Sequence, residues 1–146
     1  MTYIGRMLGV DYGDVRTGLA VSDALGMLAT ALETLKCGGM RRTAEAVAAR
    51  AAREEAVRIV VGLPKNMDGS EGFRADTVRS FVEILESLTE IPVVLVDERL
   101  TTMEAHRFLS ITDVSGKKRK DSVDMLSAQI ILQDHLDRLK KDGKSS

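Results

Sequence analysis

Three acidic residues sit at positions where chemistry could be done. Asp11 lies in the middle of the short apolar run that begins at Met7, with Gly13 following. Glu98 follows the apolar run Val93-Val94-Leu95-Val96 and Asp97. Asp124 stands among the apolar residues of the last helical pattern, just after the basic stretch Lys117-Lys118-Arg119-Lys120. A charge inside a buried strand is costly unless it is paired or bound to a metal. Three such carboxylates in one pocket would repel one another without a cation. Hard oxygen ligands suit Mg²⁺ or Mn²⁺, which keep several waters and accept substrate phosphates. Two such ions ~3.5–4 Å apart would orient a water and stabilise the leaving oxygen of a phosphodiester. Lys117, Lys118, Arg119 and Lys120 would then hold the phosphates on either side.

Each acid also has a plainer explanation. Asp11 fits an ion-paired acid or an Asx turn before Gly13. Glu98 fits a pair with a neighbouring base such as Arg99. Asp124, placed in the first turn of a helix, fits a favourable acid at the helix N-terminus, worth roughly 0.3–1 kcal/mol. A basic run is usually a solvated loop. It is the joint arrangement that favours a catalytic reading.

The elements that must position these residues follow from periodicity. Residues 6–13 and 17–22 are two β-favouring runs around a Gly-containing turn, hence a hairpin. A third strand is expected over Met27–Leu35. Residues 40–57 are rich in Ala, Arg and Glu, with Ala44, Val47, Ala48 and Ala51 at helical spacing. Ile59-Val60-Val61-Gly62-Leu63 reads as a buried strand, ended by Pro64 and the polar loop 65–72. A helix is expected over 74–89, with Val78, Phe81, Val82 and Leu85 inward. Val93–Val96 reads as the last strand. Thr101-Thr102-Met103-Glu104 is a capping-box pattern that predicts a helix over 102–110. Residues 112–121 read as a polar, basic loop, 122–139 as the last helix, and 140–146 as a polar tail. The order β-β-β-α-β-α-β-α-α implies an α/β fold, a mixed five-stranded sheet with helices on both faces. In open sheets of this kind, ligands bind at the carboxyl ends of the parallel strands. Asp11 and Glu98 would meet there if the first and last strands approach.

Composition bounds the rest. The 146 residues suggest one domain, 1–146. With 21 basic and 22 acidic residues, a polyanion site must be a local patch. Cys37 is the only cysteine, so neither an intrachain disulfide nor a multi-cysteine metal site is available, which fits a reducing cytoplasm. No apolar run approaches the ~20 residues of a membrane span, and the N-terminus lacks a signal-peptide pattern. Aromatics make up 3%, too few for an extended base-stacking platform. His106 and His135 have no ligand spacing and read as structural or surface residues.

Four segments in order carry a family likeness: GVDYGDVRTGLAVSD, VVGLPKNMDGSEG, VDERLTTMEA and KKRKDSVDMLSAQIIL. They resemble the YqgF (RuvX) family across roughly residues 7–136. The resemblance implies an RNase H-like fold. It implies a cytoplasmic, metal-dependent nuclease, described either as processing the 5′ end of pre-16S rRNA or as resolving Holliday junctions. Its acidic positions fall on Asp11, Glu98 and Asp124. It also implies roles for Arg99, on phosphate, and for Asn66. Relatives of the resolvase type generally use four acids, two of them close together on the last helix. Here no acid follows Asp124 until Asp134, and Asp121 would serve only if that helix starts early. A three-carboxylate site is therefore expected.

Three readings compete on these residues. The first is a nuclease on structured nucleic acid, an rRNA precursor ahead of a branched DNA. The second is an ATP-binding module, because Asp11-Tyr12-Gly13 resembles a phosphate loop of the actin-like ATPases, although the chain has no room for their second half. The third is a non-catalytic nucleic-acid-binding factor, against which the acids argue. A junction resolvase would be a two-fold dimer. The sequence marks no dimer face, so monomer and homodimer both stand.

Overall fold

The computed structural model describes residues 5–98 and 116–144, with side chains over 5–98 and 123–141. The chain runs β1 (Met7–Asp11), β2 (Thr17–Ser22), β3 (Ala29–Leu35), α1 (Met40–Arg53), β4 (Arg58–Leu63), α2 (Phe73–Leu88), β5 (Val93–Asp97) and α3 (Gly116–Lys144). The five strands form one sheet in the order β3-β2-β1-β4-β5. β1 pairs antiparallel with β2 and parallel with β4, β2 pairs antiparallel with β3, and β4 pairs parallel with β5. The first strand therefore lies at the centre of the sheet, as the expected mixed arrangement requires.

Alternation along β1 divides its side chains between two layers. Leu8, Val10 and then Tyr12 join a core beneath α1 and α2, with Ile59, Val61, Val47 and Phe81. The Tyr12 and Phe81 rings stack with centroids 4.2 Å apart. Met7 joins a second core beneath α3, with Ala20, Val60, Ile131 and Leu132. Gly9 and Asp11 share the α3 side with Met7. Anchoring Tyr12 under α2 thus turns the Asp11 carboxyl toward α3.

α3 can lie close because the sheet offers it glycines. A Cβ on Gly9 would stand 2.8 Å from Leu132 Cβ, and one on Gly62 would stand 2.5 Å from Ile131 Cδ1. A Cβ on Gly18 would collide with the backbone of Asp124. Amide side chains then fasten the helix to the edge strand. Gln129 donates to the Ala29 carbonyl at 3.1 Å, and Gln133 accepts from Ala29 N at 2.8 Å and donates to the Met27 carbonyl at 3.0 Å.

Several boundaries differ from the sequence expectation. α1 stops at Arg53, not 57. Glu55 takes the left-handed conformation (φ 56°), while Ala56 N bonds Ala51 O and Glu55 N bonds Ala52 O. That is a Schellman closure, here without the usual glycine. The third strand begins at Ala29, because Asp23 Oδ1 accepts from Met27 N and Leu28 N and makes a turn of those residues. The largest correction concerns the basic stretch. Lys117, Lys118, Arg119 and Lys120 are not in a loop but in the opening turns of α3. Lys and Arg are good helix formers, so a polar run need not break a helix. At its other end α3 continues to Lys144, past the expected tail boundary, and Lys140 Nζ bonds the Met27 carbonyl at 3.0 Å. The expected helix over 102–110, with His106, lies outside the described residues, as does Arg99.

Candidate active site

Asp11 ends β1, and its cross-strand partner on β2 is Gly18. On the other side of β1 runs β4, whose Gly62 follows Val61, the partner of Val10. A glycine therefore flanks Asp11 on each side, and each makes room for one acid-bearing segment. Over Gly18 passes the α3 backbone at Asp124. Over Gly62 leans the Glu98 carboxyl, whose Cδ and Oε2 would lie 3.0 and 3.1 Å from a Cβ there. Glu98 itself extends the β4–β5 ladder by one bond, its N donating to the Leu63 carbonyl at 3.2 Å. The structure thus brings the three sequence-predicted acids to one end of the sheet, at the carboxyl ends of the parallel strands β1 and β5.

Their electrostatics follow from this crowding. Burial raises the Asp11 pKa well above the usual carboxylate range, and the negative charges of Glu98 and Asp124 add to the rise, while Arg74 opposes it. Burial also pushes Glu98 up to about 7, with Arg74 pulling against it and Asp97 pushing the same way. Glu98 Oε2 and Ser127 Oγ are buried with no hydrogen-bond partner among the described atoms. An orphaned carboxylate oxygen beside a second buried carboxylate suits a hard cation, since a metal ion offsets the desolvation that pairing has left uncorrected. Asp124 is differently engaged: its Oδ2 accepts from Arg16 Nε at 3.0 Å. As the side chains stand, no three Asp, Glu, His or Cys among the described residues are grouped closely enough to hold one ion.

One correction concerns the plainer explanations. Asp124 is more than two turns inside α3, which starts at Gly116, so a helix-end effect no longer accounts for it. The early start also places Asp121 inside the helix, three residues before Asp124. At Gly13 the space a Cβ would take is filled by the Arg16 carbonyl of the same turn.

Beside the acids lie two clefts that share Phe73 and Arg74. One includes Tyr12, Gly13, Asp14 and Thr77; the other includes Lys65, Asn66, Gly72 and Glu98. Asn66, expected at the site, is there, with its Nδ2 donating to Ser70 Oγ at 3.0 Å and its N to the Ser70 carbonyl. Asp68 Oδ1 closes the same loop by accepting from Ser70 N and Oγ, as a turn residue should. Sequence reasoning misses Arg74, Phe73 and Arg16. A signal existed for Arg74. A cation in the first turn of a helix opposes the macrodipole, so its presence after the Gly72 N-cap asks for a partner. Phe73 is 82% exposed, which periodicity alone does not reveal. His135 faces Arg58, with Nε2 3.1 Å from its guanidinium, and takes no part in the site.

The mixed sheet, with helices on both faces, is an RNase H-like α/β fold. Solved structures with this fold include the Fowlpox virus resolvase with Holliday junction DNA (TM-score 0.57, 12% identity, 92% of this chain and 98% of that one). Another is Thermus thermophilus RuvC with a Holliday junction substrate (TM-score 0.52, 14% identity, 90% and 93%). The family model described as "RuvX: Holliday junction resolvase" matches residues 5–138, and the chain belongs to that family. Curated relatives bear the name "Putative pre-16S rRNA nuclease". The one from Halothermothrix orenii is 45% identical over 131 residues, covering 90% of this chain and 94% of its own. The one from Clostridioides difficile is 44% identical over 133 residues, covering 91% and 94%.

Proposed function

We propose that this chain is one nuclease domain that hydrolyses phosphodiesters of structured nucleic acid with a divalent cation, and that its substrate is the 5′ end of pre-16S rRNA. The observation that carries the reading is the pair of buried carboxylates, Asp11 and Glu98, with Glu98 Oε2 unpartnered among the described residues and Asp124 beside them. Asp11, Glu98 and Asp124 are the ligand set for Mg²⁺ or Mn²⁺. A cation held there would polarise the attacking water and offset the charge that develops on the leaving oxygen. The protein's own groups bind and orient the strand. Arg74 and Asn66 line the cleft that Glu98 closes, where a phosphate would enter. Phe73 offers an exposed ring face to a base. Arg99 and the run Lys117, Lys118, Arg119 and Lys120 hold phosphates on either side of the cut. The names of the curated relatives support rRNA maturation; a place in ribosome biogenesis, in the cytoplasm, belongs to the same proposal. Among the described residues no helix is long and apolar enough to cross a membrane.

A second reading, resolution of four-way DNA junctions, is favoured by the description of the matching family model, and it would call for a two-fold dimer. The test is cleavage with Mn²⁺ of an RNA carrying the 16S 5′ leader against a four-way DNA junction, by wild type and Asp11→Asn. Cleavage of the RNA by wild type alone, with both proteins equally folded, is the expected result. Cleavage of the junction alone by a dimeric protein would replace the RNA reading. Equal activity of Asp11→Asn would remove the site.

A further inference from the structure

We infer that Arg16 is the exchangeable counter-ion of Asp124, and that a divalent cation must displace its guanidinium to complete the ligand set. The inference rests on the proposed metal site and concerns what fills it before the cation does. Three carboxylates converge on one end of the sheet, and two arginines are set against them. Arg74 acts through its charge on Asp11 and Glu98, whose pKa values it lowers. Arg16 makes a direct, charge-assisted bond to Asp124 Oδ2 at 3.0 Å. The two residues are 108 positions apart in sequence, so the pair depends on the fold and not on local geometry. Arg16 sits on the turn between β1 and β2, next to Val15, which is 69% exposed, and its own side chain remains 30% exposed. A partly exposed ion pair is a weak competitor. The same turn is fixed at its base, where the Arg16 carbonyl packs against Gly13, so the side chain can move while the backbone stays.

The alternative is that Arg16 orients Asp124 toward the cation. The two roles predict opposite signs. If Arg16 competes, Arg16→Met removes that competitor for Asp124 Oδ2 and tightens Mn²⁺ binding by about two- to fivefold, a change of the size expected when a partly exposed pair is removed. If Arg16 orients, the same variant binds Mn²⁺ more weakly.

The experiment is calorimetric titration of the full chain with Mn²⁺, without nucleic acid, for wild type, Arg16→Met, Arg16→Lys, Asp124→Asn and the Arg16→Met/Asp124→Asn double variant. Arg16→Met should bind more tightly, Arg16→Lys should return toward wild type, and adding Arg16→Met to Asp124→Asn should change nothing. Unchanged or weaker binding by Arg16→Met overturns the inference, as does tightening that persists in the double variant. Asp11→Asn, run alongside, keeps the two ideas apart. If it binds Mn²⁺ as wild type does, the site itself is wrong; if it loses binding while Arg16→Met gains none, only the role of Arg16 is.

Discussion

Gly18 and Asp124 touch backbone to backbone: no side chain fits on β2 where α3 crosses it. Since Gly18 is also the cross-strand partner of Asp11, this one crossing sets the spacing between two of the three acids. Gly18→Ala therefore forces either the helix or the strand to move. Overpacking of this kind costs about 3 kcal/mol. We expect Tm to fall by roughly 10 °C and nuclease activity to fall further than stability explains. Thermal unfolding beside single-turnover cleavage at a temperature where both proteins are folded checks this; a stable, fully active variant would refute it.

Glu98 gives stability without metal a definite pH dependence. Its folded pKa is about 7 against an ordinary value of 4.5. Between those values the folded protein holds a proton that the unfolded chain releases. Stability in chelator must then fall as pH rises through that window and level off above about 7. The decrease amounts to about 2–3 kcal/mol. Glu98→Gln should make the profile shallower, the remaining slope coming from buried Asp11, and raise Tm at pH 8 in chelator. A wild-type Tm that climbs from pH 5 to pH 8 would contradict the burial of this carboxyl.

Arg74 should matter twice. It is the cation that opposes the pKa rise of both Asp11 and Glu98, so Arg74→Met should move the acid limb of Mn²⁺ binding to higher pH. It also lines both clefts, so substrate binding should weaken by about tenfold. Titrations of Mn²⁺ at several pH values, and of a labelled RNA at fixed pH, separate the two effects.

The basic run at the start of α3 should act through charge. Replacing Lys117, Lys118, Arg119 and Lys120 with glutamine keeps helix propensity and removes the charge. Substrate affinity should fall at low salt, and the slope of log K against log salt should shrink by about one for each phosphate no longer neutralised. An unchanged slope would place these residues away from the nucleic acid.

The parts of this picture legible in the sequence share a cause. β1, β4 and β5 are short apolar runs with clear ends, so their carboxyl ends, and with them Asp11 and Glu98, could be placed by counting. Asp124 could be placed on a helix but not along it, because Lys117–Lys120 read as a polar loop although their helix propensity is high. Arg16 is hidden for another reason: it acts on an acid 108 positions away, and no local spacing encodes such a pair. Arg74 leaves a local mark, a cation in the first turn of α2, but the acids it acts on are equally remote in sequence. Gly18 and Gly62 look like strand weaknesses in one dimension and become clearances only when α3 and Glu98 are set above them.

The order of the elements has a consequence for synthesis. Asp11 belongs to the first strand and Asp124 to the last helix, roughly a hundred residues later. During translation the hairpin of β1 and β2 leaves the ribosome while α3 is still unmade. A half-finished chain thus lacks Asp124, and the three acids share one end of the sheet only once the last helix settles over Gly18.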